Sequence, residues 1–177
     1  NGFKPTKSVS MEEEIYRFRI ILDTEDDVFR DIEIHREDSF EDLHNAIIQA
    51  FGLDGMQMAS FYESDDDWNQ GREYSLFETD DKQSRVMNEY KLEMFFEQER
   101  QRMIYVYDFF NMWTFYVELF KMVEPETGAD YPRLILDLGT MPKEKEETKF
   151  EGEEDMGAPD IFDGFDDFDQ YDEEELY

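Results

Sequence analysis

The chain contains no cysteine in its 177 residues. That absence removes disulfides, thiolate nucleophiles and zinc–cysteine sites together, and it fits a reducing compartment, so a cytoplasmic location is expected. Histidine is nearly missing too. His35 and His44 have no second His or Cys at ligand spacing, so both are expected to be structural. Cations are scarce: 17 Lys and Arg stand against 48 Asp and Glu, for a net charge of −31. Binding to phosphates needs clustered Lys and Arg, and this chain offers short basic touches such as Arg100 and Arg102, so no direct nucleic-acid binding is expected. Long hydrophobic runs are also lacking. The most apolar stretch, 103–120, is interrupted by Asp108, Asn111 and Glu118, and an acid at a bilayer centre costs about 2.5–3.5 kcal/mol, so no membrane span is expected. Residues 1–10 carry Lys4 and Lys7 without an apolar core, which is not the pattern of a signal peptide. No G-x-S-x-G elbow and no phosphate-cradling glycine loop occurs, so the sequence nominates no catalytic residue, no cofactor and no metal site.

What the chain does have is aromatic surface: 17 Phe, 10 Tyr and 2 Trp. These residues can bury enough apolar area to fold the chain despite its charge. The charge is unevenly spread. From residue 144 onward two lysines face sixteen carboxylates, and aliphatic side chains are few. Such a segment cannot offset its ordering entropy, so the organisation expected is an N-terminal extension over 1–13, an α+β domain over 14–142 and a disordered acidic tail over 143–177.

Within the domain, residues 15–22 alternate Ile15, Arg17 and Arg19 against Tyr16, Phe18 and Ile20, the period of a half-buried strand. Residues 28–34 repeat it, and the polar connection 23–27 has hairpin length, so the two runs pair antiparallel. Ser39 then offers an N-cap with Asp42 three positions on. Leu43, Ala46, Ile47 and Ala50 follow at helical spacing until Gly52 supplies a stop. Short strands are expected over 58–63 and 74–77, a polar turn over 78–85 and a short helix over 88–97. The segments 103–109 and 113–123 read as a second hairpin turning through 108–112, and 131–138 as a last strand.

Three stretches carry a family resemblance: 39–51 (S-F-E-D-L-H-N-A-I-I-Q-A-F), 58–68 (M-A-S-F-Y-E-S-D-D-D-W) and 104–113 (I-Y-V-Y-D-F-F-N-M-W). With them the chain resembles the Ri-plasmid ORF-three-like family, whose members are also described as insertion-element passenger proteins of a TnpR-like type. The resemblance spans 14–142 and is of the acidic, Asp-Asp-Trp-bearing sort associated with Bacteroidetes. It implies a ubiquitin-like strand–strand–helix start followed by further, mostly antiparallel strands, and it implies little chemistry. Where many members have Y-D-F-G-D-x-W, this chain has Phe110-Asn111 in place of the Gly-Asp pair, and the Gly- and Cys-rich segment that often follows is reduced to Gly139-Thr140-Met141-Pro142.

Candidate sites are few. Asp65, Asp66 and Asp67 beside Trp68 have the oxygen chemistry of a hard-cation site, but adjacent carboxylates rarely converge on one ion, so a solvated loop anchored by Trp68 is expected. Asp108 near Trp113 could line a pocket and carry a raised pKa suited to proton transfer, yet no partner base is evident, and a turn carboxylate bonding nearby amides is the simpler outcome. A cleft near Trp68, Asp108 and Trp113 is the alternative for a small ligand or an enzyme.

The tail holds the one internal repeat, four Asp-x-aromatic triplets ending at Phe162, Phe165, Phe168 and Tyr171. Three residues per turn is the period of polyproline II, so an extended tail aligns the four rings on one edge and Asp163, Asp166 and Asp169 on another. That strip suits a protein partner with a basic surface, and the function expected is a non-enzymatic interaction module. The runner-up is an acidic regulator of a nucleic-acid-binding protein. Literal phosphate mimicry fits poorly, because Asp every third residue falls about 9 Å apart against roughly 3.4 Å per phosphate.

Overall fold

The computed structural model describes residues 14–143, so the N-terminal extension and the tail beyond Lys143 lie outside the described residues. The chain divides into two units, 1–141 and 142–177, and every strand and helix among the described residues belongs to the first. Strands β1 (Ile15–Leu22) and β2 (Phe29–His35) pair antiparallel from Ile15 opposite His35 to Ile21 opposite Phe29. The Leu22 amide donates to the Val28 carbonyl at 3.0 Å and closes the hairpin. Helix α1 (Phe40–Phe51) starts as its sequence dictates. The Asp42 amide donates to Ser39 Oγ at 3.1 Å and the Ser39 amide donates to the Asp42 carboxylate at 2.9 Å, which satisfies two of the free amides of the first turn. Gly52, at φ 73°, ends it in the left-handed conformation that glycine adopts without strain.

The remaining strands are β3 (Ala59–Ser64), β4 (Gln70–Ser75), β5 (Arg85–Val86), β6 (Arg102–Tyr107), β7 (Trp113–Val123) and β8 (Arg133–Leu138). They join β1 and β2 in one eight-stranded sheet ordered β5-β4-β3-β6-β7-β1-β2-β8. Every neighbouring pair is antiparallel except β4 with β5. The architecture is α+β, one helix against a large, mostly antiparallel sheet. Phe40, Leu43, Ile47 and Phe51 of α1 are buried in one cluster with Phe18, Ile32, Phe61, Tyr105 and Phe115 from the sheet. The Tyr16 hydroxyl donates to the Phe96 carbonyl at 2.6 Å, so the polar end of a buried ring is satisfied.

Three local expectations need correction. The fourth strand runs Gln70–Ser75 rather than over 74–77, because its exposed polar half pairs with β3 through an irregular register. The helix expected over 88–97 is instead two 3₁₀ turns, Met87–Glu89 and Leu92–Met94. Backbone groups that a helix would use internally are committed elsewhere: the Tyr90 carbonyl accepts from the Phe40 amide at 3.1 Å and the Leu92 amide donates to Asp38 at 2.8 Å. The polar stretch 78–85 is turn-like until Arg85, which begins the short β5.

Gly139 marks the tightest backbone approach. It sits at φ +81°, and a Cβ there would lie 2.2 Å from the Asp27 carbonyl oxygen and 2.9 Å from Val28 Cα. Gly128 has a similar φ of +84° with open space around it. Gly128→Ala is therefore expected to cost only the left-handed penalty, about 1–2 kcal/mol, and Gly139→Ala clearly more, read from urea midpoints at unchanged slope. Equal losses would show that β8 does not close on the β1–β2 turn as described.

Candidate functional site

Several side chains that alternate with the core on the central strands are charged, and the register sets them in two cross-strand rows, of which the first alternates in sign throughout. Asp31, Arg19, Glu118 and Arg102 lie opposite one another across β2, β1, β7 and β6. Arg133, Glu33, Arg17 and Lys121 form a second row across β8, β2, β1 and β7. In the first row Arg19 grips Asp31 with both arms, Nε to Oδ1 at 2.8 Å and Nη2 to Oδ2 at 2.7 Å, and both side chains are fully buried. The Arg19 guanidinium carbon also lies 4.2 Å from the centre of the Phe120 ring and 4.9 Å from that of Phe29. In the second row the Glu33 carboxylate accepts from Arg17 at 2.8 and 3.0 Å and from Arg133 at 3.0 Å. Hydrogen bonds to Glu126 and Glu33 push the Arg133 guanidinium further up from an already high pKa. Strand β1, expected to be half-buried, is thus buried on both sides at Arg19. A bidentate carboxylate directly opposite supplies what water would have given.

The sequence-nominated residues sit apart. Trp68 packs edge-on against Tyr116, ring centres 4.8 Å apart, and the Arg102 guanidinium lies 4.8 Å from its ring. Trp113 alternates with Tyr116 on β7 and packs instead against the core cluster, which contains Phe115 and Val117. The two indoles therefore occupy opposite faces of the sheet, and the structure does not bring Trp68, Asp108 and Trp113 into one cleft. Asp108 caps the β6–β7 turn, accepting from the amides of Phe110 at 3.0 Å and Asn111 at 3.2 Å and from the Asn111 side chain at 2.8 Å. Burial works to raise its pKa, but those hydrogen bonds outweigh it and hold the carboxyl below its ordinary value. That is the opposite of the raised acid a proton-transfer role would need.

Asp65 is likewise a loop cap, accepting from the amides of Asp67 and Asn69, both at 2.9 Å. Among the described residues no group of three or more His, Asp or Glu is arranged to hold a metal ion. No helix among them is long and apolar enough to cross a membrane. His44 points into the core, its Nδ1 2.7 Å from the Tyr105 hydroxyl, and burial pushes its pKa down to about 4. His35 stands edge-on to Tyr131. The tail residues Phe162, Phe165, Phe168, Tyr171, Asp163, Asp166 and Asp169 lie outside the described residues. Sequence reasoning missed the ion rows, although their signal was present: Arg17 and Arg19 share the period of Asp31 and Glu33 on the strand they pair with.

The comparisons with known proteins agree with this architecture. The family described as plasmid pRiA4b ORF-3-like protein matches residues 14–156. Among solved structures, the chain is similar to the crystal structure of a protein of unknown function from Methanosarcina mazei. The two are 19% identical, with a TM-score of 0.62 over 72% of this chain and 71% of that one. At that identity the likeness shows the fold. No curated protein matches the chain.

Proposed function

This chain belongs to the plasmid pRiA4b ORF-3-like family, and on that premise we propose that it works as a non-enzymatic, cytoplasmic protein-interaction module of a mobile-element-associated family. The observation that carries the proposal is the run of four Asp-x-aromatic triplets ending at Phe162, Phe165, Phe168 and Tyr171. Its carboxylates steer the segment to a basic surface, and its rings insert there once water is displaced. Support also comes from the described domain, in which three buried carboxylates are occupied by cations. Asp31, Glu33 and Glu118 each have a guanidinium within ion-pair distance, an arrangement suited to building a sheet.

The test keeps the full chain and replaces Phe162, Phe165, Phe168 and Tyr171 with Ser. Partners captured from native lysate by the wild type are expected to be lost, and the wild-type capture to fall steeply as salt rises. An unchanged partner list removes the tail from the function. The added density at Asp167 and Glu173 to Glu175 favours one second reading, an acidic regulator that competes for a nucleic-acid-binding surface. Restored DNA binding when this chain is removed from such a partner is its expected signature.

A further inference from the structure

We propose that the loop end of the sheet is a separate docking surface, for a cationic segment of a partner protein that also carries apolar side chains. Topology gathers five connections there. Leu22 lies opposite Phe115, Tyr107 opposite Trp113, Ala59 opposite Tyr107, Ser60 opposite Ser75, and Phe29 opposite Leu138. The segments 23–28, 52–58, 76–81, 108–112 and 139–141 therefore leave the sheet on the same side. Backbone bonds lace neighbouring segments together, from Asp23 to Thr114 at 2.8 Å, Asp108 to Met58 at 2.8 Å and Leu76 to Ala59 at 3.1 Å.

This end gathers the domain's exposed apolar bulk. Phe110 is 90% exposed, Met56 78% and Phe77 60%, with Phe109 and Met112 about half as exposed as Phe110; outside it only Met94 and Leu134 are comparable among the described residues. Scattered apolar surface needs no explanation, but apolar surface collected on one set of loops marks an interaction site. Nor does a slack loop account for it. Asp108 clamps the two amides that follow Phe109, and Met112 holds a left-handed φ of 55°, a conformation that disfavours an unbranched apolar side chain. Backbone strain that presents a ring to water contributes nothing to the isolated domain, and a pre-ordered anchor lowers the entropy lost on binding.

Charge selects the occupant. Asp23, Glu25, Asp26, Asp27, Asp54 and Glu78 belong to these segments, and no Lys or Arg does. An anionic membrane and a nucleic-acid backbone are repelled. A second copy meeting the same end is repelled as well, since the chain carries −31 overall. A basic segment with leucine or aromatic side chains satisfies both the carboxylates and the rings, in the manner of an amphipathic helix laid on an apolar surface.

The test titrates a short Lys/Leu amphipathic peptide, and a Lys/Ser peptide of equal charge, into the isotope-labelled full-length chain, reading amide shifts. The Lys/Leu peptide is expected to shift signals from 52–58, 76–81 and 108–112, and the Lys/Ser peptide to bind about ten-fold more weakly there. The double variant Phe77→Asp with Phe110→Asp is expected to lose about ten-fold or more in affinity, while Ser at positions 162, 165, 168 and 171 leaves those shifts in place. Both substituted loop side chains are exposed, and unchanged melting of the double variant confirms its fold. Shifts confined to residues beyond 143, equal affinity of the two peptides, or self-association abolished by the double variant overturn the proposal. The first of these outcomes leaves the tail reading standing.

Discussion

Asp31→Ala is expected to destabilise the domain by about 3–5 kcal/mol, seen as a fall in Tm of roughly 10–20 °C. The reason is the burial of its partner. Arg19 has no exposed surface, and the two bonds at 2.7 and 2.8 Å to Asp31 are the ones that match its fork geometry. Removing the carboxylate takes both of these bonds from a fully buried guanidinium, and the Phe29 and Phe120 rings it packs on attract a cation but cannot replace them. The companion experiment separates the cost of breaking the pair from the worth of having it. Replacing both residues with Leu is expected to restore most or all of the stability, because two desolvated charges return little more than two packed aliphatic side chains. A loss below about 1 kcal/mol for Asp31→Ala, or a double variant less stable than the single one, would show that Arg19 is not held as described.

The second large effect is on pH dependence, through His44. Its imidazole lies between α1 and β6, bonded to Tyr105, whose own pKa burial raises well above the usual phenol value. In the unfolded chain the imidazole takes up a proton near pH 6.5, while in the fold it resists until about pH 4. The unfolded state thus binds more protons between those values. Stability contributed by the neutral imidazole is complete above pH 6.5 and is lost as pH falls toward 4, by roughly 2–3 kcal/mol in all. The many carboxylates titrate in the same region, so the measurement is a difference. Urea midpoints of the wild type and of His44→Gln, taken from pH 7 to pH 4, are expected to converge by that amount. Parallel curves would mean that the imidazole is charged in the fold or open to water.

Some of this architecture was legible residue by residue. The β1–β2 hairpin, the capping box of Ser39 and Asp42, the Gly52 stop and the β6–β7 hairpin are local features, in which the residues that decide the conformation are also those that adopt it. The segment 88–97 was misjudged because its apolar spacing suits a helix while its amides and carbonyls bond to the entry of α1, far away in the chain. The candidate cleft failed for a related reason. Trp113 alternates along β7 with Tyr116, the ring on which Trp68 packs, and a one-residue offset in a strand sends a side chain to the other face of the sheet.

From the sequence alone came the α+β class, the positions of the helix and the two hairpins, the dense charge beyond residue 143 and the family. These depend on periodicity, capping chemistry and composition, all of which act over a few residues. Tertiary structure alone decided that β1 lies between β2 and β7, and with it that Arg19 is buried against Asp31 and that Phe77 and Phe110 emerge at one end. Strand order and register are set by contacts among residues more than a hundred positions apart. An alternating Arg looks the same whether its strand ends at an edge or fills the centre of a sheet.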